Sequence, residues 1–130
     1  MDFKPLLEQA IIVRKNAYAP YSHFPIGVAL RTKSGKIFLG CNVENISFGL
    51  SLCAERNAVF SAVAAGETEF DTIAVIADSK TPVTPCGACR QVMAEFSPDM
   101  KLCSSNLQGD TFVSSVNELL PRAKEGILGT

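Results

Sequence analysis

The sequence predicts an α/β fold: one mixed sheet with helices packed on it. Three observations carry that expectation. Helical and strand-like segments alternate in the order α-β-β-α-β-α-β-β-α. The run "TIAVIAD" (72–78) is short and apolar, as a buried strand of parallel type should be. The chain has 130 residues, 47% of them hydrophobic, which suits a single domain, 1–130, with a real core.

The elements follow in order. Leu6, Ala10, Val13 and Ala17 recur at helical spacing, so 3–18 is predicted as an amphipathic helix. "APYSHFPIG" is rich in turn formers and reads as a loop. Residues 26–32 and 36–43 flank "KSGK" and read as a hairpin. A helix is expected over 53–65, ended by Gly66. Its small residues Ala54, Ala58, Ala62 and Ala65 would let it approach the sheet closely. After the 72–78 strand, "KTPVTP" is loop, and 86–96 is a helix stopped by Ser97 and Pro98. Strands at 101–106 and 111–115 surround "QGD". A short helix at 116–121 leads to the tail "PRAKEGILGT". No repeat, linker or low-complexity segment interrupts this order.

Composition excludes several classes of function. The net charge is -1 and no Lys/Arg run occurs, so the basic face of a nucleic-acid binder is missing. No stretch of 18 apolar residues exists to span a membrane. The start of the chain lacks a basic region followed by an apolar one, so no secretory signal is expected. Five cysteines, an odd number, then point to a cytoplasmic location, where clustered thiols more often bind metal or do chemistry than pair.

Cys86-Gly-Ala-Cys89 is a CxxC at a loop-to-helix junction, and Cys53 lies at another. Helix N-termini offer free N–H groups and a positive dipole end, which favour thiolate over thiol. Two such ends side by side would aim three sulfurs at one point. Zinc takes thiolates at about 2.3 Å in tetrahedral geometry, and three protein ligands leave a fourth position for water. The expected cofactor is one Zn²⁺ per chain. Three thiolates and Zn²⁺ carry a net negative charge that would weaken the metal as a Lewis acid. Arg56 lies one turn after Cys53, and Arg90 directly follows Cys89. One or both could donate to the sulfurs and offset the excess; otherwise they are solvated surface charges.

Glu55 sits in the first turn after Cys53. Alone it would be a dipole-complementing surface residue; beside an open zinc position it is a proton shuttle. The remaining candidates have plainer readings. Cys103 fills the core of a strand. Cys41 could be a fourth ligand, but strand alternation turns it away from Asn42 and Glu44. His23 is a loop histidine flanked by turn residues.

"CAE" (53–55) followed by "PCGAC" (85–89) resembles the zinc nucleobase and nucleoside deaminases, a class whose three-cysteine form is well described. The chain is most similar to the small homotetrameric cytidine deaminases. The likeness runs from "AYAPYSHFPIGVAL" through "GCNVEN", "CAERNA" and "PCGACRQV" to "NLQGD" and "ELLP". It covers about nine-tenths of the chain. The resemblance implies a three-layer α/β/α sandwich with a five-stranded mixed sheet. It implies that Cys53, Cys86 and Cys89 hold zinc, that Glu55 is the acid/base, and that Arg56 neutralises the thiolates. Asn42 and Glu44 would bind ribose hydroxyls, Phe24 would pack on the pyrimidine, and the N–H of Ala54 and C=O of Thr84 would read the base edge. The implied assembly is a homotetramer with sites shared between subunits.

Two positions depart from the family pattern. Phe48, in the segment lent to a neighbour's site, replaces the usual tyrosine. Lys124 stands where an aromatic lid residue is usual; either the lid is lost or Ile127 or Leu128 replaces it. The implied reaction is hydrolytic deamination of cytidine and 2′-deoxycytidine, with release of ammonia, in pyrimidine salvage. Glu55 would take a proton from the attacking water, deliver it to N3, and then protonate the departing amine. The rivals are a deaminase of blasticidin-type antibiotics, whose relatives lack the NVEN pair, a structural zinc or interaction module, and an editing deaminase acting on RNA or DNA.

Overall fold

Alternation along the central strands sends side chains to two faces, and each face receives its own helical layer. The computed structural model describes residues 2–130. Its elements are α1 (Lys4–Arg14), β1 (Ile26–Thr32), β2 (Ile37–Cys41), α2 (Ala54–Ala64), β3 (Phe70–Ala77), α3 (Gly87–Phe96), β4 (Lys101–Asn106), β5 (Thr111–Ser115), α4 (Val116–Leu119) and α5 (Glu125–Leu128). A short 3-10 turn occupies Phe48–Leu50.

The five strands form one sheet in the order β2-β1-β3-β4-β5. β1 is antiparallel to both neighbours, β3 and β4 are parallel, and β5 is antiparallel to β4. On one face, Val28, Leu30, Ile73, Val75 and Leu102 pack against α2 and α3. On the other, Ala29, Ala74 and Ile76 meet Leu6 and Ala10 of α1. The arrangement is a three-layer α/β/α sandwich on a mixed sheet.

Topology gathers the site. β2, β3 and β4 run the same way, because β1 is antiparallel to both of its neighbours. The helices that follow β2 and β3 therefore both begin at the same end of the strands. β1 starts at that end, where Ile26 pairs with Ala77 and Gly27 with Cys41. Chain ends from three directions thus converge there, as ligand sites in α/β sheets commonly do.

Close approach fixes the helices. A Cβ on Gly40 would lie 2.3 Å from the Ala54 carbonyl oxygen and 2.6 Å from the Ala58 nitrogen. Only glycine in β2, facing alanine in α2, lets that helix lie so near. Gly27 does the same for α1, where a Cβ would come within 2.0 Å of the Ala10 carbonyl.

Several boundaries differ from the sequence expectation, each for a nonlocal reason. α1 ends at Arg14 rather than 18, because Tyr18 is drawn into an extended bridge with Val43. β2 ends at Cys41 rather than 43, since Val43 instead exchanges backbone hydrogen bonds with Leu52. β3 begins two residues earlier, at Phe70, whose N–H is accepted by Ser97 Oγ at 2.8 Å. α4 stops at Leu119, and the tail contains the additional helix α5.

Candidate active site

Cys53 and Cys86 are the N-caps of α2 and α3, and Cys89 lies in the first turn of α3. Their sulfurs form one cluster, all within 4.8 Å of one another. Cys53 and Cys86 are 3.8 Å apart, and Cys86 and Cys89 are 3.4 Å apart. Thiolates bound at about 2.3 Å in a tetrahedron would be about 3.8 Å apart. The donor set and spacing therefore fit one zinc ion, with one tetrahedral position not supplied by sulfur. Cys41 lies outside this cluster, half-buried, and Cys103 is buried in β4.

The thiols do not ionise alike in the metal-free protein. Cys53 is pulled down to about 5, first by a hydrogen bond from the Cys89 thiol and also by Arg56, against the opposing effect of burial. Cys89 is pushed up because it supplies that proton, and by its burial.

Glu55 follows Cys53 into the first turn of α2 and is only 4% exposed. Its carboxyl is pushed up to about 7, chiefly by burial and secondarily by the charge of Cys53. Among the described residues its Oε1 has no hydrogen-bond partner. A buried, unsatisfied carboxyl oxygen is costly, and here it lies beside the sulfurs. Arg56 directs Nη2 at Cys53 Sγ, 3.6 Å away, while its buried Nε also lacks a partner among the described residues.

Arg90 is placed differently from the sulfur-facing alternative. Its Nε donates to the Pro85 carbonyl at 2.7 Å, Nη1 to the Leu119 carbonyl at 2.9 Å, and Nη2 to Thr84 Oγ1 at 3.1 Å. It clamps the loop before Cys86 to the end of α4. The guanidinium facing the thiolates is that of Arg56.

A cleft lined by Phe24, Ile26, Asn42, Glu44, Leu52 and Cys53 opens beside the cluster. Asn42 is buried; its Oδ1 accepts from Ile26 N at 2.8 Å and its Nδ2 donates to the Phe24 carbonyl at 3.0 Å. Glu44 Oε1 accepts from the backbone N–H groups of Tyr21 and Ser22, at 3.0 and 3.1 Å, and Oε2 accepts from the Ser22 hydroxyl. These bonds, the Ser22 hydroxyl first, hold the Glu44 carboxyl below the usual range. The sequence motif located both residues but gave no sign that they also organise the 21–26 loop. The serine in "YSHF" was the available signal, since Ser commonly bonds backbone two residues on.

The two departures are visible. Phe48 is 72% exposed and touches the Tyr21 ring edge-on at 5.8 Å. Lys124 pairs with Glu95 at 3.3 Å on its own chain, whereas Ile127 and Leu128 stand exposed on α5. Among the described residues no helix is long and apolar enough to cross a membrane.

Fold and site together define a metalloenzyme with a three-cysteine centre on an α/β/α scaffold. The chain matches the sequence profile of the cytidine and deoxycytidylate deaminase zinc-binding region over residues 2–104, and it belongs to that family. A cytidine deaminase from Halalkalibacterium halodurans is 52% identical over 124 residues, covering 95% of this chain and 94% of the relative. The crystal structure of cytidine deaminase from Burkholderia pseudomallei superposes with a TM-score of 0.90 at 52% identity, covering 93% of this chain and 98% of the other. A blasticidin-S deaminase from Bacillus cereus is more distant, at 32% identity over 104 residues and 74% of each chain.

Proposed function

We propose that this protein deaminates cytidine and 2′-deoxycytidine hydrolytically, giving uridine and 2′-deoxyuridine and releasing ammonia, as a step of pyrimidine salvage. The observation that carries the reading is the buried carboxyl of Glu55, its Oε1 without a hydrogen-bond partner among the described residues, beside three convergent sulfurs. Cys53, Cys86 and Cys89 would hold the zinc, which when bound supplies a Lewis acid that acidifies water.

The chain's own groups do the rest. Glu55 takes a proton from the attacking water and delivers it to N3 of the pyrimidine, then takes the second proton from the hydroxyl now on C4 and gives it to the amine, which leaves as ammonia while the C4 carbonyl forms. A carboxyl poised near neutrality suits both directions of transfer. Arg56, donating to Cys53, offsets the negative charge of the thiolates. The Ala54 N–H and Thr84 carbonyl read the base edge, and Arg90 steadies the Thr84 loop. Phe24 packs on the ring.

The sugar falls to Asn42 and Glu44. A carboxylate offers about four acceptor positions, and the loop already engages three of those on Glu44. Asn42 retains one N–H and one lone pair beyond its two bonds to the loop. What remains suits a single hydroxyl that donates to the carboxylate and accepts from the amide. Both ribose and 2′-deoxyribose can provide one, which supports use of both nucleosides. Among the described residues no cluster of cations lines this cleft, and Glu44 brings negative charge to it. The 5′-monophosphate should therefore be a poor substrate.

The reading takes the whole chain, 1–130, as one catalytic domain, acting in the cytoplasm as a homotetramer whose sites are shared. Every strand joins the same sheet, which supports the single domain. Ile46, Phe48 and Leu50 stand 79%, 72% and 69% exposed just before Cys53. An apolar ridge of that kind beside a site suits burial against a neighbouring subunit.

The test is an ultraviolet assay on cytidine, deoxycytidine, cytosine, cytidine monophosphate and blasticidin-S, with oligomer size read by light scattering. The two nucleosides should be turned over far better than the other three. Equal turnover of cytosine or the monophosphate would remove the sugar assignment, and preference for blasticidin-S would move the substrate class.

A further inference from the structure

We propose that Ser22 is a positioning residue for substrate binding: its hydroxyl fixes the orientation of Glu44 and couples it to the segment that presents Phe24. The inference rests on the sugar role given above to Asn42 and Glu44.

Ser22 is bonded in two directions. Its hydroxyl donates to Glu44 Oε2, and its oxygen accepts from the backbone N–H of Phe24 at 3.1 Å. A hydroxyl has one proton to give. With that proton committed to the carboxylate, the oxygen is free to receive the Phe24 N–H. Phe24 in turn receives Asn42 through its carbonyl, at 3.0 Å. Glu44, the backbone of Phe24 and Asn42 are thereby joined in one run of hydrogen bonds, with Ser22 as the link on the Glu44 side.

The backbone between them supports the same purpose. His23 adopts φ 56°, in the left-handed region that non-glycine residues seldom occupy. Its N–H is held by the Ala19 carbonyl at 3.0 Å. A residue persists in that region when its surroundings over-determine it. The left-handed step returns the chain so that the Phe24 N–H reaches back to Ser22.

Glu44 is only half-buried, so water competes for its oxygens. The backbone N–H groups of Tyr21 and Ser22 hold Oε1 and would hold it without the Ser22 hydroxyl. Oε2 is the oxygen with acceptor capacity left for a ligand, and the Ser22 hydroxyl fixes where it points. The same hydroxyl is the first cause of the lowered Glu44 pKa, which keeps the carboxylate ionised to receive a sugar hydroxyl. Ser22 shares the cleft with Cys53 but, among the described residues, its hydrogen bonds go to Glu44 and Phe24 and not to Glu55 or the three sulfurs, so the chemical step should be independent of it.

The experiment compares cytidine with 2′,3′-dideoxycytidine, which lacks the 2′- and 3′-hydroxyls and keeps the 5′-hydroxyl, in wild type, Ser22→Ala and Ser22→Thr. Zinc content and circular dichroism are read for each variant. Ser22→Ala should raise KM for cytidine roughly 3- to 10-fold, with kcat and the dideoxycytidine KM both within about 2-fold of wild type. Ser22→Thr, which keeps the hydroxyl, should restore the cytidine KM. Ser22→Gly serves in the same comparison should Ser22→Ala not fold. An unchanged cytidine KM overturns the proposal, as does an equal loss on both substrates, which would mean general disorder of the loop. A threonine variant that behaves like alanine also overturns it. If wild type itself fails to distinguish the two substrates, the sugar role of Glu44 falls, and the Ser22 proposal with it.

Discussion

Glu55→Gln separates the chemistry of this site from what the fold tolerates. Glutamine keeps the shape and cannot exchange a proton, so turnover should fall by roughly 10²- to 10⁴-fold. The less obvious consequence is a gain in stability of the zinc-free protein. Burial moves the Glu55 carboxyl from the 4.5 of an exposed glutamate to about 7. Such a displacement disfavours the ionised form in the folded state by about 3 kcal/mol, at about 1.4 kcal/mol per tenfold change. The sign follows from the direction. The folded pKa lies above the unfolded one, so the folded protein is unpenalised below pH 4.5. It loses stability as pH rises through the window to 7, and carries the full penalty above it. Glutamine has no charge to desolvate and should show no such loss. Denaturant unfolding of the zinc-free proteins, at equal chain concentration, should give nearly equal pH trends below pH 4.5. At pH 8 the glutamine variant should have gained up to about 3 kcal/mol relative to wild type. A difference that stays constant between pH 4.5 and pH 8 would refute the burial argument. Near-native turnover would refute the proton-transfer role.

Other perturbations test the remaining supports. Cys86→Ala should lose zinc by elemental analysis, while Cys41→Ala and Cys103→Ala, outside the sulfur cluster, should retain it. Arg56→Gln removes the guanidinium beside Cys53 and should lower zinc affinity or kcat/KM by about 10- to 100-fold, read by chelator competition and assay. Gly40→Ala places a Cβ 2.3 Å from the Ala54 carbonyl and should destabilise by about 1–3 kcal/mol in thermal or denaturant unfolding.

What the sequence made legible was local or carried by spacing. Cys53, Cys86 and Cys89 could be found because each lies at a helix start, and helix starts are marked by loop-forming residues just before an apolar period. Ala54, Ala58 and Ala62 foretold the close packing of α2, and Gly40 completes it from the sheet side, whereas Ala65, expected in the same row, is exposed just past the end of the helix. What was not legible depends on partners far along the chain. The end of α1 is set by a bridge between Tyr18 and Val43. Arg90 follows a zinc ligand directly, so adjacency suggested sulfur; its donors go instead to Leu119, Thr84 and Pro85, and only the folded chain brings Leu119 within reach. α5 is a four-residue helix in a tail with no periodicity to reveal it. Asn42 and Glu44 stood out only as candidates that the family motif singles out, and their bonds to the 21–26 loop come from a hairpin register that pattern alone does not give.

The sulfur cluster has a consequence for the connectivity of the molecule as well. Cys53 and Cys86 are 33 positions apart, and they begin two successive crossovers on the same side of the sheet. A metal held by both closes a loop that includes all of α2 and β3. By the chain-entropy relation for cross-links, closing a loop of that length restricts the unfolded ensemble by about 3–4 kcal/mol. The centre that carries out the reaction is then also a clasp on the fold. A chelator would not only silence the enzyme; it would loosen the central part of the chain and expose it to proteolysis, while α1, on the far face of the sheet, would feel the loss least.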